Sequence, residues 1–303
     1  MSNITWRGVF AVLVTPFHDD LTLDLESLRR QVDFCIACGV QAVVAPVVAS
    51  EFITLADRER CLIYDAVAGQ LDGRASYVAG VSASSAPHAR SLAEAATGAG
   101  ADALIAMPPI LGGRSKERTF AYFAAIADAS PLPLMVQNAP EPVGAPLATA
   151  DLVRLVEEVP SIAAVKEETA PNPQKVGALV AAAGDRLEGV IGGLGGIYLF
   201  NELARGATGT MPACQFADVM VELLRLRDAG DDDGARTVFG ALQPALVMER
   251  LYGMTFMKAC LQRRGVLRNA LTRVVEPPLD SFDEAELDAV WSALTPHFSV
   301  PAS

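Results

Sequence analysis

One lysine follows a short apolar run, where its amine could act as a nucleophile. Residues 161–165 read SIAAV, and Lys166 comes directly after them. A short apolar run between polar residues is typical of a strand buried on both faces. At the rim of such an interior, loss of water favours the neutral amine, which can attack the carbonyl of a 2-oxo acid and form an imine. The alternative is a strand-end lysine that serves only as an ion-pair partner for Glu167 or Glu168.

Two glutamates follow Lys166, and their spacing indicates different roles. Residues two positions apart in an extended backbone share a face, so Glu168 is expected beside Lys166. Glu167 is expected on the opposite face, toward the outer layer, as a structural residue. A protonated imine withdraws electrons, so a nearby carboxylate can remove a proton from the adjacent carbon. The pattern predicts Lys166 as the imine-forming residue and Glu168 as the base.

The elements that must position these residues alternate along the chain. Through residue 230, short apolar runs alternate with amphipathic helical patterns. This alternation is typical of parallel βαβ units, and eight such units fit a closed (β/α)8 barrel. The open doubly wound sheet is the alternative, but its first strand is usually followed by G-x-G-x-x-G. Here Thr15-Pro16-Phe17 follows instead, so the sequence predicts an α/β TIM barrel over residues 1–230.

The rest of the chain carries only helical patterns, at residues 234–251, 255–263 and 284–294. We expect residues 231–303 to form a C-terminal helical extension that packs on the barrel. The two parts would then make a single structural unit.

The active site of a (β/α)8 barrel lies at the C-terminal ends of its strands. Polar and small residues expected at those ends are Thr15, Ala49, Ser50, Glu51, Gln137, Asn138, Lys166, Glu168 and Gly193. The only histidines are His18, His88 and His297, and only His18 is near a strand end. Metal sites need several N, O or S ligands at suitable spacing, and a serine triad needs a histidine. Neither a metal site nor a triad is predicted.

A glycine-rich run, Gly192-Gly193-Leu194-Gly195-Gly196, precedes one of the predicted helices. Backbone N–H groups in such a run can bind a phosphate, although the G-K-[ST] of a P-loop is missing. A tight turn that permits close backbone approach is the alternative, and the sequence leaves both open.

Composition limits the classes of partner and compartment. The 303-residue chain has a net charge of −12, which disfavours nucleic acid and anionic membranes as partners. It has no long apolar run and no signal-peptide pattern, so a cytoplasmic location is expected. The five cysteines are odd in number and scattered, which favours free thiols. Cys35-x-x-Cys38 has no second Cys or His pair nearby, so no redox or metal role is predicted.

Motifs spread over residues 9–279 resemble the dihydrodipicolinate synthase / N-acetylneuraminate lyase superfamily of Schiff-base lyases. They are Val14-Thr15-Pro16-Phe17, Ser50-Glu51 with Leu55 and Glu59, Met107-Pro108-Pro109, Asn138-x-Pro140, Val165-Lys166-Glu167 and Gly206-Ala207-x-Gly209. The resemblance implies a barrel with C-terminal helices, usually a homotetramer, in which Lys166 forms the imine without a separate cofactor. It also implies that the Ala49-Ser50 loop binds the carboxylate of a 2-oxo acid through N–H and hydroxyl groups.

The chain departs from the usual pattern of this superfamily at three places. Members usually have Gly-Thr-Thr-Gly-Glu after strand 2, where residues 47–51 here read VVASE. Gln137 replaces the tyrosine that shuttles protons in the aldolases and synthases, and an amide cannot shuttle a proton. Ile110 replaces a tyrosine often found after Pro-Pro. These departures argue against an ordinary aldolase or synthase.

The 2-keto-3-deoxy-L-arabonate dehydratases, one branch of the superfamily, share these departures in part. They carry Ser-Glu after strand 2, Gln followed by Asp-Ala-Pro, and Lys-x-Glu-Thr after strand 6. The similar stretches here are Ser50-Glu51, Gln137-Asn138-Ala139-Pro140 and Lys166-Glu167-Glu168-Thr169. Within the branch, this chain differs by Asn138 for Asp, Ile110 for Tyr and residues 211–214 for a glycine-rich segment, so the sugar acid stays open.

Three functional hypotheses follow. The first is dehydration of a 2-keto-3-deoxy sugar acid to an oxo-acid semialdehyde, with Lys166, Glu168 and Gln137 as catalytic residues. The second is a pyruvate-releasing class I aldolase, or a dihydrodipicolinate-synthase-like condensation, on the same framework. The third is a 2-oxo-acid-binding protein without turnover. The predicted substrate-binding residues are Ala49, Ser50, Asn138, Gly193 and Thr15, and loops 82–85, 112–114 and 211–215 are expected to recognise distal hydroxyls.

Overall fold

The structure, a computed structural model, describes residues 4–109 and 115–300, which form a closed barrel of parallel strands. The strands are β1 (Gly8–Val12), β2 (Ala42–Ala45), β3 (Ser76–Gly80), β4 (Ala103–Ala106), β5 (Leu134–Asn138), β6 (Ile162–Glu167), β7 (Gly189–Gly192) and β8 (Gly209–Thr210). They pair in chain order, and β8 closes the barrel against β1. The predicted (β/α)8 TIM barrel is confirmed. Ile110 and the predicted loop 112–114 lie outside the described residues.

Helices follow the strands and cover the outside of the barrel. They are α1 (Leu25–Cys38), α2 (Asp57–Leu71), α3 (Ala86–Ala99), α4 (Lys116–Ala129), α5 (Thr149–Glu158), α6 (Asn172–Ala183), α7 (Leu199–Leu203) and α8 (Ala217–Asp228). Two more, α9 (Asp232–Arg263) and α10 (Ser281–Leu294), make up the extension. Short 3-10 turns at Val48–Ser50 and Leu194–Gly196 follow β2 and β7, so both lie at the end of the barrel that carries active sites in this fold.

Two apolar layers hold the barrel together. Side chains such as Phe10, Val44 and Ile191 fill its interior, and a larger set packs between the strands and the helices. Strands covered on both faces by apolar layers read as continuous apolar runs, which explains why the strands were visible in the sequence. The five cysteines are free thiols, as their number and spacing predicted.

Two strands differ from the sequence-based expectation. The predicted β6 stopped at Val165, but the strand continues through Lys166 and Glu167, because both residues keep their pairing with β5 and β7. In contrast, β8 is only two residues long, whereas a strand over 207–211 was expected. The chain reaches Pro212 just beyond it, and proline has no N–H to continue a ladder.

The extension contains one long helical segment with a break. The sequence predicted separate helices over 234–251 and 255–263, and α9 covers both. The break lies at Gly253, whose φ of 49° and ψ of −128° are not helical. Such a conformation favours glycine, because a Cβ atom would be strained there.

Buried ion pairs join the extension to the barrel. Arg264 Nη2 lies 2.5 Å from Asp218 Oδ2, and Lys258 Nζ lies 2.5 Å from Glu51 Oε1. Both pairs connect the C-terminal half of α9, or the residue after it, to barrel elements. Among the described residues, no helix is both long and apolar enough to cross a membrane.

Candidate active site

The strand pair β5–β6 places three of the predicted residues together. Gln137 on β5 is in register with Lys166 on β6. Glu168 lies directly after β6, and its carboxylate Oε1 is 3.1 Å from Nζ of Lys166. The period-two alternation of β6 therefore brings Lys166 and Glu168 onto one side of the strand, as the spacing predicted. The side chains of both residues are buried.

The carboxylate of Glu168 is held from three directions. Gln137 Nε2 donates to its Oε2 at 2.8 Å, and the backbone N–H of Leu194 donates to Oε1 at 3.0 Å. Desolvation alone raises the pKa of this carboxyl, but the charge of Lys166 and the two donated hydrogen bonds hold the pKa below its usual value. These surroundings therefore favour the ionised form of Glu168.

Glu167 points away from this site and joins β6 to the segment before α6. Its carboxylate accepts hydrogen bonds from Asn138 Nδ2 at 2.8 Å and from the Thr169 backbone N–H at 2.7 Å. Burial nevertheless raises the pKa of Glu167 above its usual value, since these bonds offset only part of the desolvation. The expected structural placement of Glu167 agrees with these contacts.

Asn138 has its side chain engaged outside the site. Besides Glu167, its amide donates to Leu147 O at 3.1 Å and accepts from Leu147 N at 2.8 Å. The amide oxygen and nitrogen are thus used to fasten the loop after β5. A role for Asn138 in substrate binding stays a prediction.

The hydroxyls of Thr15 and Ser50 also turn away from the site. Thr15 Oγ1 donates to Ser50 O at 2.5 Å, and Ser50 Oγ donates to Leu13 O at 2.5 Å. These bonds connect the end of β1 to the turn after β2, so both residues shape the loop predicted to bind the substrate carboxylate. Ala49, in the same turn, faces the cavity.

A cavity of about 350 Å³ opens at this end of the barrel. It is lined by Val12, Val48, Ala49, Gln137, Ala139, Pro140, Glu141, Pro142, Val143, Lys166, Glu168, Leu194, Gly195, Met211, Ala213, Glu249, Arg250, Gly253 and Met257. These lining residues include no tyrosine and no histidine. The acid–base groups of the wall are therefore Lys166 and carboxyl groups, together with the permanent cation Arg250.

The glycine run after β7 permits close approach of carboxylates. A Cβ at Gly193 would lie 2.3 Å from Glu168 Oε1, and one at Gly192 would lie 2.0 Å from an oxygen of Glu202. The N–H of Leu194 already binds Glu168, and that of Gly196 bonds to Gly193 O at 2.9 Å. Of the two alternatives left by the sequence, the close-approach role describes this turn. Gly193 touches Glu168 and is absent from the cavity wall.

Two carboxyl groups at the site were missed by the sequence analysis. Glu249 on α9 lines the cavity, and Glu202 on α7 is buried behind Glu168. Burial raises the pKa of Glu249 to about 7, and burial together with the charge of Glu168 raises that of Glu202 to about 8. Neither belongs to a motif, and only their proximity in the fold marks them.

Comparisons with known proteins agree with this geometry. The model of the dihydrodipicolinate synthetase family matches residues 5–296. An L-2-keto-3-deoxyarabonate dehydratase of Azospirillum brasilense is 31% identical over 294 residues, covering 96% of this chain and 95% of the relative. A 4-hydroxy-tetrahydrodipicolinate synthase of Pelodictyon phaeoclathratiforme is 31% identical over 238 residues, covering 78% of this chain and 80% of the relative.

A solved structure of a dihydrodipicolinate synthase has the same fold. The crystal structure of dihydrodipicolinate synthase from Rhodopseudomonas palustris superposes with a TM-score of 0.87 at 28% identity, covering 95% of this chain and 97% of that one. The extension is included in this coverage as well as the barrel. The chain belongs to the dihydrodipicolinate synthetase family, a family of lyase-type enzymes.

Proposed function

We propose that this protein dehydrates a 2-keto-3-deoxy sugar acid through an imine at Lys166. The observation that carries the proposal is the carboxylate of Glu168, 3.1 Å from the Lys166 amine, at a cavity whose lining, among the described residues, includes no tyrosine. Family synthases and aldolases usually have a tyrosine where Gln137 stands. Here Gln137 orients Glu168 instead, by donating to its Oε2. The Glu168 carboxylate, instead of a tyrosine, would therefore transfer protons to and from the substrate.

The reaction would begin with attack of the Lys166 amine on C2 of the substrate. Glu168 lies within hydrogen-bonding distance of Nζ, so it can accept a proton from the ammonium and free the lone pair. Glu168 returns that proton to the carbinolamine oxygen, which leaves as water, and this step gives the protonated imine and the Glu168 carboxylate again. Glu168 then removes a proton from C3, and the resulting enamine expels the C4 hydroxyl as water. Tautomerisation and hydrolysis of the imine release an oxo-acid semialdehyde and restore Lys166, without a further cofactor.

The substrate carboxylate fits the turn after β2. Val48 and Ala49 line the cavity and begin the 3-10 turn Val48–Ser50, and the first N–H groups of a helical turn have no partner within it. Thr15 and Ser50 fix this turn through their bonds to backbone carbonyls. Arg250 adds a positive charge at the wall, which favours an anionic substrate although the protein is acidic overall.

A screen of several 2-keto-3-deoxy acids, read by mass spectrometry, tests this function. The expected product is the substrate minus one water, without loss of carbon. Borohydride should trap a 2-oxo acid on the protein in the same experiment. Trapping without any product would instead support a binding protein.

Pyruvate release is the second candidate, favoured by the similarity to 4-hydroxy-tetrahydrodipicolinate synthases. In that case Glu168, or a water beside it, would act as base in carbon–carbon cleavage. Pyruvate plus an aldehyde in the product mixture would indicate an aldolase and contradict dehydration.

The resemblance to this family also implies a homotetramer that acts in the cytoplasm on small 2-oxo acids. Sedimentation velocity tests the assembly, since a tetramer has four times the 31.9 kDa mass of the chain. A monomer or dimer at assay concentration would contradict this part of the proposal.

A further inference from the structure

The helical extension contributes a carboxyl group to the cavity. Glu249 lies on α9 and is buried, yet it lines the same cavity wall as Lys166 and Glu168. One of its oxygens, Oε2, accepts a hydrogen bond of 2.6 Å from Gln215 Nε2. Gln215 stands in the loop after β8, so barrel and extension together fix the position of this carboxyl.

The other oxygen of Glu249 occupies space that only a glycine leaves free. A Cβ at position 195 would lie 2.6 Å from Oε1. Gly195 has a φ of 69° and also lines the cavity. The turn after β7 therefore receives two carboxylates, Glu168 at Gly193 and Glu249 at Gly195, from different elements.

These two carboxyl groups have opposite charge environments. Glu168 has the Lys166 ammonium and two hydrogen-bond donors, and its pKa lies below the usual value. Burial raises the pKa of Glu249 to about 7, which the hydrogen bond from Gln215 only partly offsets. A pair of carboxyls whose environments drive their pKa values apart is the arrangement by which enzymes obtain an acid and a base in one site.

We propose that Glu249 is the general acid that protonates the departing C4 hydroxyl, while Glu168 is the base at C3. The inference rests on the dehydration proposed above. Glu249 reaches the cavity from the extension, whereas Glu168, which pairs with the amine, reaches it from the end of β6. A hydroxide ion is a poor leaving group, so a positioned acid accelerates this step.

The proposed step balances in atoms and electrons. The C3–H electrons form the C2=C3 bond of the enamine as Glu168 takes the proton. Those electrons then form C3=C4 while the C4–O bond breaks, and the oxygen leaves as water with the proton of Glu249.

With a five-carbon substrate, the later tautomerisation returns Glu168 and Glu249 to their starting protonation states. The Glu249 carboxylate removes a proton from C5, and Glu168 returns its proton to C3. The resulting C4=C5 enol becomes the aldehyde when its hydroxyl proton is replaced by a proton at C4.

The decisive variant is Glu249→Gln, with Glu286→Gln as a matched control at an exposed position on α10. Removal of a general acid should slow water elimination by about 10²–10⁴-fold. Borohydride trapping of pyruvate and deuterium exchange at its methyl group depend on Lys166 and Glu168, so they should persist. A substrate analogue with fluoride at C4 should still eliminate fluoride at a rate within a few-fold of wild type, because fluoride leaves without a proton.

The pH profile gives an independent readout. Wild-type turnover should fall as pH rises through about 7, where Glu249 loses its proton. Glu249→Gln should lack this alkaline limb. Gln215→Leu removes a donor that stabilises the ionised form, so it should raise the pKa of Glu249 and move the limb to higher pH.

Several results would overturn the role of Glu249. Equal loss of water and fluoride elimination would indicate a structural residue, and unchanged water elimination in Glu249→Gln would exclude an acid. If that variant does not fold, an unmoved alkaline limb in Gln215→Leu has the same meaning. Failure of the wild-type protein to dehydrate any 2-keto-3-deoxy acid would contradict the proposed function itself, which is a different result.

Discussion

Two lysine–glutamate pairs, Lys166–Glu168 and Lys258–Glu51, are buried in the described part of the chain, and their surroundings differ. Lys166 and Glu168 are 3.1 Å apart at the cavity wall, where each side chain keeps 8% of its surface exposed. Lys258 and Glu51 are 2.5 Å apart, and both side chains are completely enclosed at 0%. The first pair joins residues two positions apart at the end of β6, and the second joins the extension to the turn after β2.

The enclosed pair is saturated with protein partners. Lys258 also donates to Leu271 O at 2.6 Å, and Glu51 accepts from the backbone N–H groups of Arg273 and Val274 at 2.7 and 2.9 Å. Desolvation lowers the pKa of Lys258 even though Glu51 opposes this shift, but no substrate can reach the amine. Both lysines are buried beside an acidic partner, and of the two only Lys166 lines the cavity.

The largest effect should come from Lys166→Ala. Among the described residues that line the cavity, Lys166 is the only lysine. Borohydride trapping should therefore disappear in this variant, and kcat should fall by about 10⁴-fold or more. Intact-protein mass spectrometry after reduction measures the adduct, and Lys116→Ala, at an exposed position on α4, serves as control. An adduct that still forms on Lys166→Ala would show that Lys166 is not the imine-forming lysine, and the contrast between the two pairs would then not concern reactivity.

Glu168→Gln should have the next largest effect. The variant keeps the size of the side chain but cannot accept a proton, so dehydration should slow by about 10²–10⁴-fold. Stopped assays with the dehydrated substrate identified in the screen measure the loss, and Glu94→Gln on α3 is an exposed control. Near-normal turnover would remove Glu168 from the role of base.

Lys258→Met should affect stability. It leaves the Glu51 carboxylate buried without its cation, and breaking one side of a buried pair costs about 3–5 kcal/mol. Urea unfolding followed by circular dichroism measures the free energy of unfolding. The double variant Lys258→Met/Glu51→Leu should recover only part of this loss, because the N–H groups of Arg273 and Val274 lose their acceptor. A stable single variant would show that enclosure does not make this pair structural.

The smallest effect concerns Glu202, a carboxyl buried near Glu168 and Gly192. Burial and the charge of Glu168 raise its pKa to about 8. A carboxyl with a raised folded-state pKa keeps its proton in the folded state. The free energy of unfolding therefore falls as pH rises from the ordinary pKa of the carboxyl, 4.5, toward 8. Between pH 6 and 8, the free energy of unfolding of the wild type should fall by about 2 kcal/mol more than that of Glu202→Gln. Thermal unfolding at several pH values tests this, and parallel curves for both proteins would contradict it.

Local rules of the sequence predicted that Lys166 and Glu168 lie together, but not the full environment of this pair. Lys166 and Glu168 share a side because side chains alternate along a strand, and that rule needs no tertiary information. Glu249 was not predicted, since it reaches the cavity only through the packing of α9 against the barrel. No motif or periodicity of that helix distinguishes this glutamate from those on the surface.

Side-chain direction limited the prediction of substrate-binding residues. Thr15, Ser50 and Asn138 do stand at the ends of strands, but their polar atoms bond to the neighbouring chain. Turn geometry determines whether a hydroxyl or amide faces a cavity or a carbonyl, and this geometry depends on contacts between segments distant in sequence. Residue type and position therefore identified loops at the cavity end of the barrel but did not predict the direction of these side chains.

The break at Gly253 has a consequence for protein engineering. It divides α9 into one half that carries Glu249 at the cavity and another that carries Lys258 under the turn after β2. A minimal barrel that ends at residue 230 would lose both, so this fold cannot be reduced to its eight repeated units. Chimaeras that exchange the C-terminal segment between family members would transfer a wall of the cavity along with it, and the choice of crossover point would alter chemistry as well as solubility.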